Sequence, residues 1–162
     1  YPLEGWRMRP AIIDLDNDGD YDIVVGGDSG SGYDMKVFEN VGTNTNPKFN
    51  DYDLVDPGLN TLYLSGDGSP SFADLNGDGL MDLIVGVSGS VDRIKYFVNN
   101  GGTQLGEGAG RITFTDQSDD PWDDVAKTGN PFYSIFPGSD PVPFLIDFDG
   151  DGDMDVFIGH DW

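Results

Sequence analysis

Short, mostly apolar runs recur along the chain in pairs, and each pair flanks an acidic loop. A Pro opens every pair and a Gly closes it, four residues before and four residues after the loop. Runs that are short, β-branched or aromatic, and bounded by Pro and Gly, are typical of strands and not of amphipathic helices. Each unit is therefore predicted to be strand, loop, strand. The three pairs are Ala11–Ile13 with Ile23–Val25, Ser71–Ala73 with Leu83–Val85, and Phe144–Ile146 with Val156–Ile158.

The three loops, residues 14–22, 74–82 and 147–155, share the pattern Asp-x-[Asp/Asn]-x-Asp-Gly-x-x-Asp. Side-chain oxygens at positions 1, 3 and 5 can converge on one hard cation. The Gly at position 6 permits a sharp turn, position 7 can offer its backbone carbonyl, and a carboxylate at position 9 can close the shell. Ca²⁺ takes six to eight oxygen ligands at roughly 2.3–2.6 Å. A single acidic loop could be a solvated turn, but three copies with one spacing favour calcium.

Each of the first two units continues with two more predicted strands. Third strands begin at Lys36 and Lys95 and run into Asn/Gly turns, and residues 48–52 and 111–116 are candidate fourth strands. The three loops begin 60 and then 73 residues apart. Repeats of this length are typical of propeller blades that carry insertions. The whole chain, residues 1–162, is interpreted as one repeat region. Its units are about 10–65, 66–117, followed by an insertion at 118–140, and a partial unit at 141–162.

Phe72–Gly86 and its two counterparts resemble the FG-GAP/VCBS repeats of integrin-α-type β-propellers. The resemblance implies an all-β fold of β-propeller-type blades, each with four antiparallel strands and a calcium loop between the first two. About two and a half blades fit the chain, as an incomplete propeller or a tandem-blade array.

The resemblance also implies about three Ca²⁺ ions, with position 7 coordinating through its backbone only. The ligands that it implies are Asp14, Asp16, Asp18, Asp20 and Asp22; Asp74, Asn76, Asp78, Leu80 and Asp82; and Asp147, Asp149, Asp151, Asp153 and Asp155.

The third unit reaches Trp162 after only its second strand. Closed propellers contain four to eight blades, and a blade buries its faces against its neighbours. We therefore expect the chain to be completed by further blades of the same chain, or by copies that associate into a homo-oligomer or filament.

Composition narrows the class of partner. Eight Lys and Arg residues against thirty Asp and Glu residues give a net charge of −22, and thirteen of the acids lie in the loops. This charge disfavours nucleic acid and anionic membranes as partners. No Cys and no transmembrane run is present. Metal would replace disulfides as the cross-link of an extracellular or cell-surface protein.

The sequence offers little for catalysis. His160 is the single histidine, and no nucleophile elbow, phosphate loop or His-based zinc motif occurs. The chain is expected to be a non-catalytic structural or adhesive module that mediates assembly or protein contact. The alternative is a lectin-like carbohydrate-binding module, in which aromatic side chains stack on glycans. The candidates for that role are Trp6, Tyr33, Trp122, Tyr133 and Trp162.

Overall fold

The computed structural model describes residues 6–28, 35–51, 64, 66–89, 93–103, 110, 112–117, 130–132, 135 and 137–161. These residues form strands and turns without a helix, so none of them provides a helix able to cross a membrane. The described residues contain ten strands, β1 (Trp6–Ile13), β2 (Asp22–Asp28), β3 (Lys36–Asn40), β4 (Phe49–Asp51), β5 (Gly66–Ala73), β6 (Asp82–Gly89), β7 (Arg93–Asn99), β8 (Phe114–Asp116), β9 (Ser139–Ile146) and β10 (Asp155–Asp161).

The strands form three antiparallel sheets in chain order, β1 to β4, β5 to β8, and the pair β9 and β10. We call these sheets blades 1, 2 and 3. The fold is all-β with unclosed propeller-type blades, as the sequence predicted. The register between the first two strands is the same in every blade, with Ala11 opposite Val24, Ser71 opposite Ile84, and Phe144 opposite Phe157.

Every blade has two faces, because successive side chains of a strand point to opposite sides of the sheet. We call the face that carries the Pro of the first strand the front, and the face that carries the Gly of the second strand the back. Pro10, Pro70 and Pro143 therefore mark the fronts, and Gly26, Gly86 and Gly159 mark the backs.

Two apolar clusters lie between successive blades. The back of blade 1 packs on the front of blade 2, and the back of blade 2 packs on the front of blade 3. Burial between neighbours is the expected source of stability in a repeat protein. The buried members of the first cluster are Leu15, Val24, Met35, Val37, Leu64, Leu83, Val85, Val87, Phe97 and Ile112. Those of the second are Ile84, Ile94, Tyr96 and Phe132, with Leu75, Val98, Ile135, Leu145, Val156 and Ile158 partly buried against them.

Most of the predicted insertion, residues 118–140, lies outside the described residues. Phe132 belongs to its described part and is buried, with its ring edge-on to Tyr96 at 6.4 Å between centroids. Ser139 and Asp140 already belong to β9. At least this end of the insertion therefore contributes to the contact between blades 2 and 3.

The first strands of the three blades surround a cavity of about 640 Å³. Arg7 on β1 lies three residues before its Pro, as Asp67 on β5 and Asp140 on β9 do. The Arg7 Nη1 atom lies 3.1 Å from Asp140 Oδ1 and 3.7 Å from Asp67 Oδ2. The Arg7 guanidinium thus contacts the residues at the equivalent positions of the other two blades.

The back-face glycines mark the closest approach between blades. A Cβ added at Gly26 would overlap the Gly68 carbonyl oxygen, and one added at Gly86 would overlap the Pro141 carbonyl oxygen. At Gly159 the nearest atoms belong to Val142 of the same blade, at 4.0 Å. The first two glycines are therefore required by the backbone of the next blade, and the third is not so constrained in this structure.

Alanine at the equivalent glycines tests this packing. Gly86→Ala is expected to lower the free energy of unfolding by about 1–3 kcal/mol, because the Pro141 carbonyl must move. Gly159→Ala is the matched control and should change the free energy of unfolding little. Urea unfolding of both variants measures the difference, and equal losses would show that the contact between blades 2 and 3 is not as described.

Candidate metal centres

Each acidic loop connects the first two strands of its blade. Position 1 follows β1, β5 or β9 directly, and position 9 is the first residue of β2, β6 or β10. The strands place the loop ends side by side, since Ile13 pairs with Asp22, Ala73 with Asp82, and Ile146 with Asp155.

Positions 1, 3 and 5 come together in the structure. One carboxylate oxygen from each of Asp14, Asp16 and Asp18 lies within 4.8 Å of the others. Oxygens of Asp147, Asp149 and Asp151 meet the same limit in the third loop. In the second loop Asn76 supplies the oxygen of position 3, and its Oδ1 accepts the Asp78 backbone N–H at 2.9 Å. Each cluster consists of oxygen donors only, which suits a hard cation.

Backbone hydrogen bonds hold the loop around its position 1 carboxylate. The position 6 N–H donates to that carboxylate at 3.0 Å in Gly19, 2.8 Å in Gly79 and 3.1 Å in Gly152. The position 7 N–H donates to the position 5 carboxylate at 2.8 to 2.9 Å in all three loops. The carboxylates of positions 1 and 5 therefore accept the hydrogen bonds that order the turn. Their oxygens also lie close to one another in the first and third loops.

Two positions of the loop adopt left-handed backbone conformations. The position 6 glycines have φ between 87° and 96°, as their sharp turn requires. Position 4 is left-handed too, with φ of 61° at Asn17, 77° at Gly77 and 79° at Gly150. Sequence reasoning missed position 4, although Asn and Gly, the two residue types that tolerate this region best, occupy it in every copy.

The position 7 side chain of the first loop has a contact that the sequence did not indicate. Asp20 Oδ1 accepts the backbone N–H of Asn44 at 3.0 Å. The Asn44 side chain donates to the Gly19 carbonyl at 2.8 Å and accepts the Tyr21 N–H at 2.8 Å. The hydrogen bonds of Asn44 thus connect the first loop to the turn between β3 and β4.

The position 9 carboxylate connects the loop to the blade through backbone hydrogen bonds. Asp22 Oδ2 accepts the Leu15 N–H at 3.0 Å, and its Oδ1 accepts the Asn40 N–H at 2.8 Å. Asp82 accepts the equivalent bonds from Leu75 at 3.3 Å and from Asn99 at 2.9 Å. The Phe148 N–H donates to Asp155 at 3.0 Å.

Asn40 and Asn99 extend this connection from the loop to the next turn. Their side-chain oxygens accept the N–H groups of Gly42 at 3.0 Å and Gly101 at 2.9 Å. The Asn99 side chain also donates to the Met81 carbonyl at 3.1 Å. The sequence predicted a turn here, but the role of the buried Asn was missed. Its signal in the sequence is that an Asn ends the third strand of both blade 1 and blade 2.

The apolar residue at position 2 is expected from the alternation of side chains along an extended turn to point into the core of its blade in all three loops, while its Asp neighbours face the metal. Leu15 is buried in the first cluster, and Leu75 is partly buried against the second. The prediction is wrong for Phe148, which is 73% exposed and touches Phe157 edge-on at 5.3 Å between ring centroids. Position 2 faces the following blade, and no blade follows β10 among the described residues.

Burial changes the acid–base behaviour of the first loop. It raises the pKa of Asp22 to about 6, against the two backbone hydrogen bonds that favour the charged form. The pKa of Asp16 is also raised, first by burial and then by the nearby Asp18 carboxylate. In the second blade, burial raises the pKa of Tyr96, and so does the hydrogen bond of 2.8 Å that its hydroxyl donates to Asp82.

The other candidate residues lie apart from these loops. His160 is exposed near the end of β10, and its Nδ1 lies 3.2 Å from the Asp161 backbone oxygen. The Trp6 backbone begins β1. Tyr33, Trp122, Tyr133 and Trp162, which were considered for glycan stacking, lie outside the described residues.

Four-stranded antiparallel blades with an acidic loop after each first strand define a β-propeller-like repeat protein. Two family models match the chain, the FG-GAP-like repeat over residues 14–85 and the FG-GAP repeat over residues 67–113. Together they span residues 14–113, more than half of the sequence. The chain belongs to the FG-GAP repeat family. A search of curated proteins gave no match, and neither did a search of solved structures.

Neighbouring asparagines test the connection between loop and turn. Asn99→Ala is expected to cost about 1–3 kcal/mol of unfolding free energy, because the Gly101 N–H and the Met81 carbonyl lose their partner. Asn100→Ala is the control, since the side chain of this exposed residue bonds to the hydroxyls of Thr113 and Thr115, and not to backbone groups, among the residues that the structure describes. Chemical unfolding compares the two, and a cost no larger at Asn99 than at Asn100 would contradict the proposed connection.

The raised pKa of Asp22 predicts a pH dependence in the metal-free protein. The folded state binds this proton more tightly than the unfolded chain, whose pKa is near 3.8. The contribution of Asp22 to stability is therefore present below about pH 4 and lost as the pH rises to about 6. Asp16 acts in the same direction.

Unfolding in excess chelator at several pH values measures this effect. The free energy of unfolding should fall as the pH rises through the window, and Asp22→Asn should make that fall shallower. The same slope in both proteins would show that Asp22 does not hold a proton in the folded state.

Proposed function

We propose that this chain is a calcium-stabilised extracellular repeat module with a structural or adhesive role and no catalytic activity. The observation that carries the proposal is the convergence of carboxylate oxygens at positions 1, 3 and 5 of the first and third loops. The second loop has the same hydrogen bonds from positions 5, 6 and 7 to the side chains of positions 1, 3 and 5. An acidic turn without a ligand has no need to repeat this arrangement with the same two left-handed backbone positions.

The donor set fits Ca²⁺ better than Mg²⁺ or a transition metal. Every side chain at positions 1, 3 and 5 ends in a carboxylate or amide oxygen, whereas zinc and copper sites use His or Cys. Ca²⁺ accepts irregular shells of six to eight oxygens, while Mg²⁺ requires near-octahedral geometry and keeps its waters. The position 7 carbonyl and the position 9 carboxylate are the further ligands that we propose.

A bound cation would stabilise the blade as well as its loop. Thirteen of the thirty acidic residues lie in the three loops, where like charges repel at short range. Three Ca²⁺ ions would change the net charge from −22 to −16. Because position 9 hydrogen-bonds to the third strand in blades 1 and 2, ordering of the loop would also fix that strand.

The extracellular location and the structural role rest on physical expectation. Extracellular calcium modules bind with dissociation constants of roughly 10⁻⁴–10⁻³ M, so they fill outside the cell. The chain has no Cys, and metal would serve as its cross-link. Repeat blades bury apolar surface against other blades, which suits assembly or protein contact.

Removal of calcium tests the proposal. The melting temperature of the 162-residue protein should rise in millimolar Ca²⁺ and fall in excess EGTA, and Mg²⁺ should substitute poorly. At a hundredfold excess over the dissociation constant, each site adds roughly 2.7 kcal/mol to the stability. An unchanged melting temperature would refute calcium stabilisation.

Calorimetry with matched variants locates the sites. Asp151→Ala removes the position 5 oxygen of the third loop and should lower the stoichiometry from about three ions to about two, one for each intact loop. Asp161→Ala removes an exposed carboxylate outside the loops and should leave the stoichiometry unchanged. Equal effects of the two variants would contradict the assignment.

A further inference from the structure

In blade 2 one side chain contacts both the acidic loop and the predicted insertion. The Tyr96 hydroxyl on β7 donates a hydrogen bond of 2.8 Å to Asp82 Oδ2, the position 9 carboxylate of the second loop. The Tyr96 ring lies edge-on to Phe132 of the insertion, with an angle of 82° between the ring planes. Asp82 is fully buried and Tyr96 is 4% exposed, so both contacts lie in the interior of the protein.

The Tyr96 hydroxyl is a donor that the equivalent carboxylate of blade 1 does not have. Asp82 and Asp22 each accept one N–H from their own loop and one from the third strand. The residue of blade 1 that corresponds to Tyr96 is Val37, since it pairs with β2 as Tyr96 pairs with β6. Among the described residues, the additional donor is therefore a property of blade 2.

This additional donor affects the charge and the orientation of the carboxylate. A buried charge is tolerated only where donors compensate it, and hydrogen bonds to an ionised acceptor are the stronger kind. The Asn99 N–H holds Asp82 Oδ1, while the Tyr96 hydroxyl helps to hold Oδ2. Hydrogen-bond partners that orient a metal ligand in this way commonly raise metal affinity about tenfold to a hundredfold.

The insertion packs on the same strand that carries Tyr96. We call residues 130–132 the docked segment. The Asn130 side chain donates to the Ile94 carbonyl of β7 at 3.5 Å, and its oxygen accepts the Phe132 N–H at 2.9 Å. Phe132 is 7% exposed and belongs to one apolar cluster with Ile94 and Tyr96. The docked segment therefore contacts β7 at two residues, and one of them, Tyr96, is also bonded to the acidic loop.

We propose that Tyr96 is a positioning residue for the Ca²⁺ site of the second loop and couples this site to the docked segment. The inference rests on the proposed function and deepens it, because it assigns to one loop a partner outside the loop. Tyr96 is held between Asp82 and Phe132, so each of these residues favours the placement that the other requires. Coupling of this kind is reciprocal, so Ca²⁺ should stabilise the docked segment by the same factor by which the docked segment strengthens Ca²⁺ binding.

Calcium binding to the second loop alone tests the positioning role. Asp18→Ala and Asp151→Ala together remove the position 5 oxygens of the other two loops, and the protein that carries both should retain the second site. In this protein Tyr96→Phe keeps the ring and removes the hydroxyl, and calorimetry should show a Kd for Ca²⁺ that is at least about tenfold higher. Tyr21→Phe is the control, since it removes the hydroxyl of a tyrosine that is 58% exposed and should leave this Kd unchanged.

The same substitution in the otherwise unchanged protein separates positioning from general destabilisation. Tyr96→Phe should there weaken the binding of one ion and leave the sites of the first and third loops as they are. A general loss of structure would weaken all of the sites together. This titration decides the question equally well if the protein with two altered loops does not fold.

A double-mutant cycle tests the coupling to the docked segment. Phe132→Ala should weaken Ca²⁺ binding to the second loop at least about fivefold while the Tyr96 hydroxyl is present. In the Tyr96→Phe background the same truncation should not change this Kd, because its connection to Asp82 has been removed. Amide hydrogen exchange measures the reverse direction: Ca²⁺ should slow exchange of the Phe132 N–H more in the wild type than in Tyr96→Phe.

Unchanged or tighter Ca²⁺ binding in Tyr96→Phe overturns the positioning role. Equal effects of Phe132→Ala with and without the hydroxyl overturn the coupling. If the wild type binds about three Ca²⁺ ions in those cases, the proposed function stands and this inference alone fails. A wild type that binds no Ca²⁺ overturns both.

Discussion

The hydrogen bonds of the buried carboxylate that closes the acidic loop of blades 1 and 2 are the interactions on which the rest of each blade depends. Asp22 and Asp82 accept one backbone N–H from their own loop and one from the third strand. A carboxylate in the interior is tolerated only when its oxygens find donors, and these backbone groups provide them. The turn, the hairpin and the third strand are therefore fixed by one side chain, and the Asn that follows extends the connection to the next turn.

The acidic loop is also in direct contact with the interface to the next blade. Leu15 packs in the first apolar cluster and Leu75 against the second, while the neighbouring side chains at positions 1 and 3 belong to the oxygen clusters. One short segment thus contributes both to a charged site and to an apolar contact. A cation that orders this segment would strengthen the packing of the following blade, which is how a local site could stabilise a repeat array.

The sequence was sufficient to predict the strands, the loops and the unclosed blades, because Asp spacing and Pro and Gly offsets are local properties of the chain. It was insufficient for Asn40, Asn44 and Asn99, because the acidic loops to which these residues are hydrogen-bonded lie 17 to 25 residues earlier in the chain and meet them only once the hairpins are formed. The error at Phe148 has another cause. Whether Phe148 is buried depends on a neighbouring blade. Its apolar side chain predicts a preference for burial, but the local sequence does not show whether a blade covers it.

The same reasoning explains why one repeated sequence produces different environments. Phe157, Val24 and Ile84 occupy one position in the register, yet only Phe157 is exposed, since the other two have a blade behind them. Larger aromatic side chains at Phe144 and Phe157 replace the Ala, Ser, Val and Ile of the equivalent positions. Such side chains offer more apolar area to a partner, so blade 3 gains the most from being covered. Open apolar sheet of this kind is costly in water, and among the described residues it is found at Phe144 and Phe157 of blade 3 and at Ile12 of blade 1.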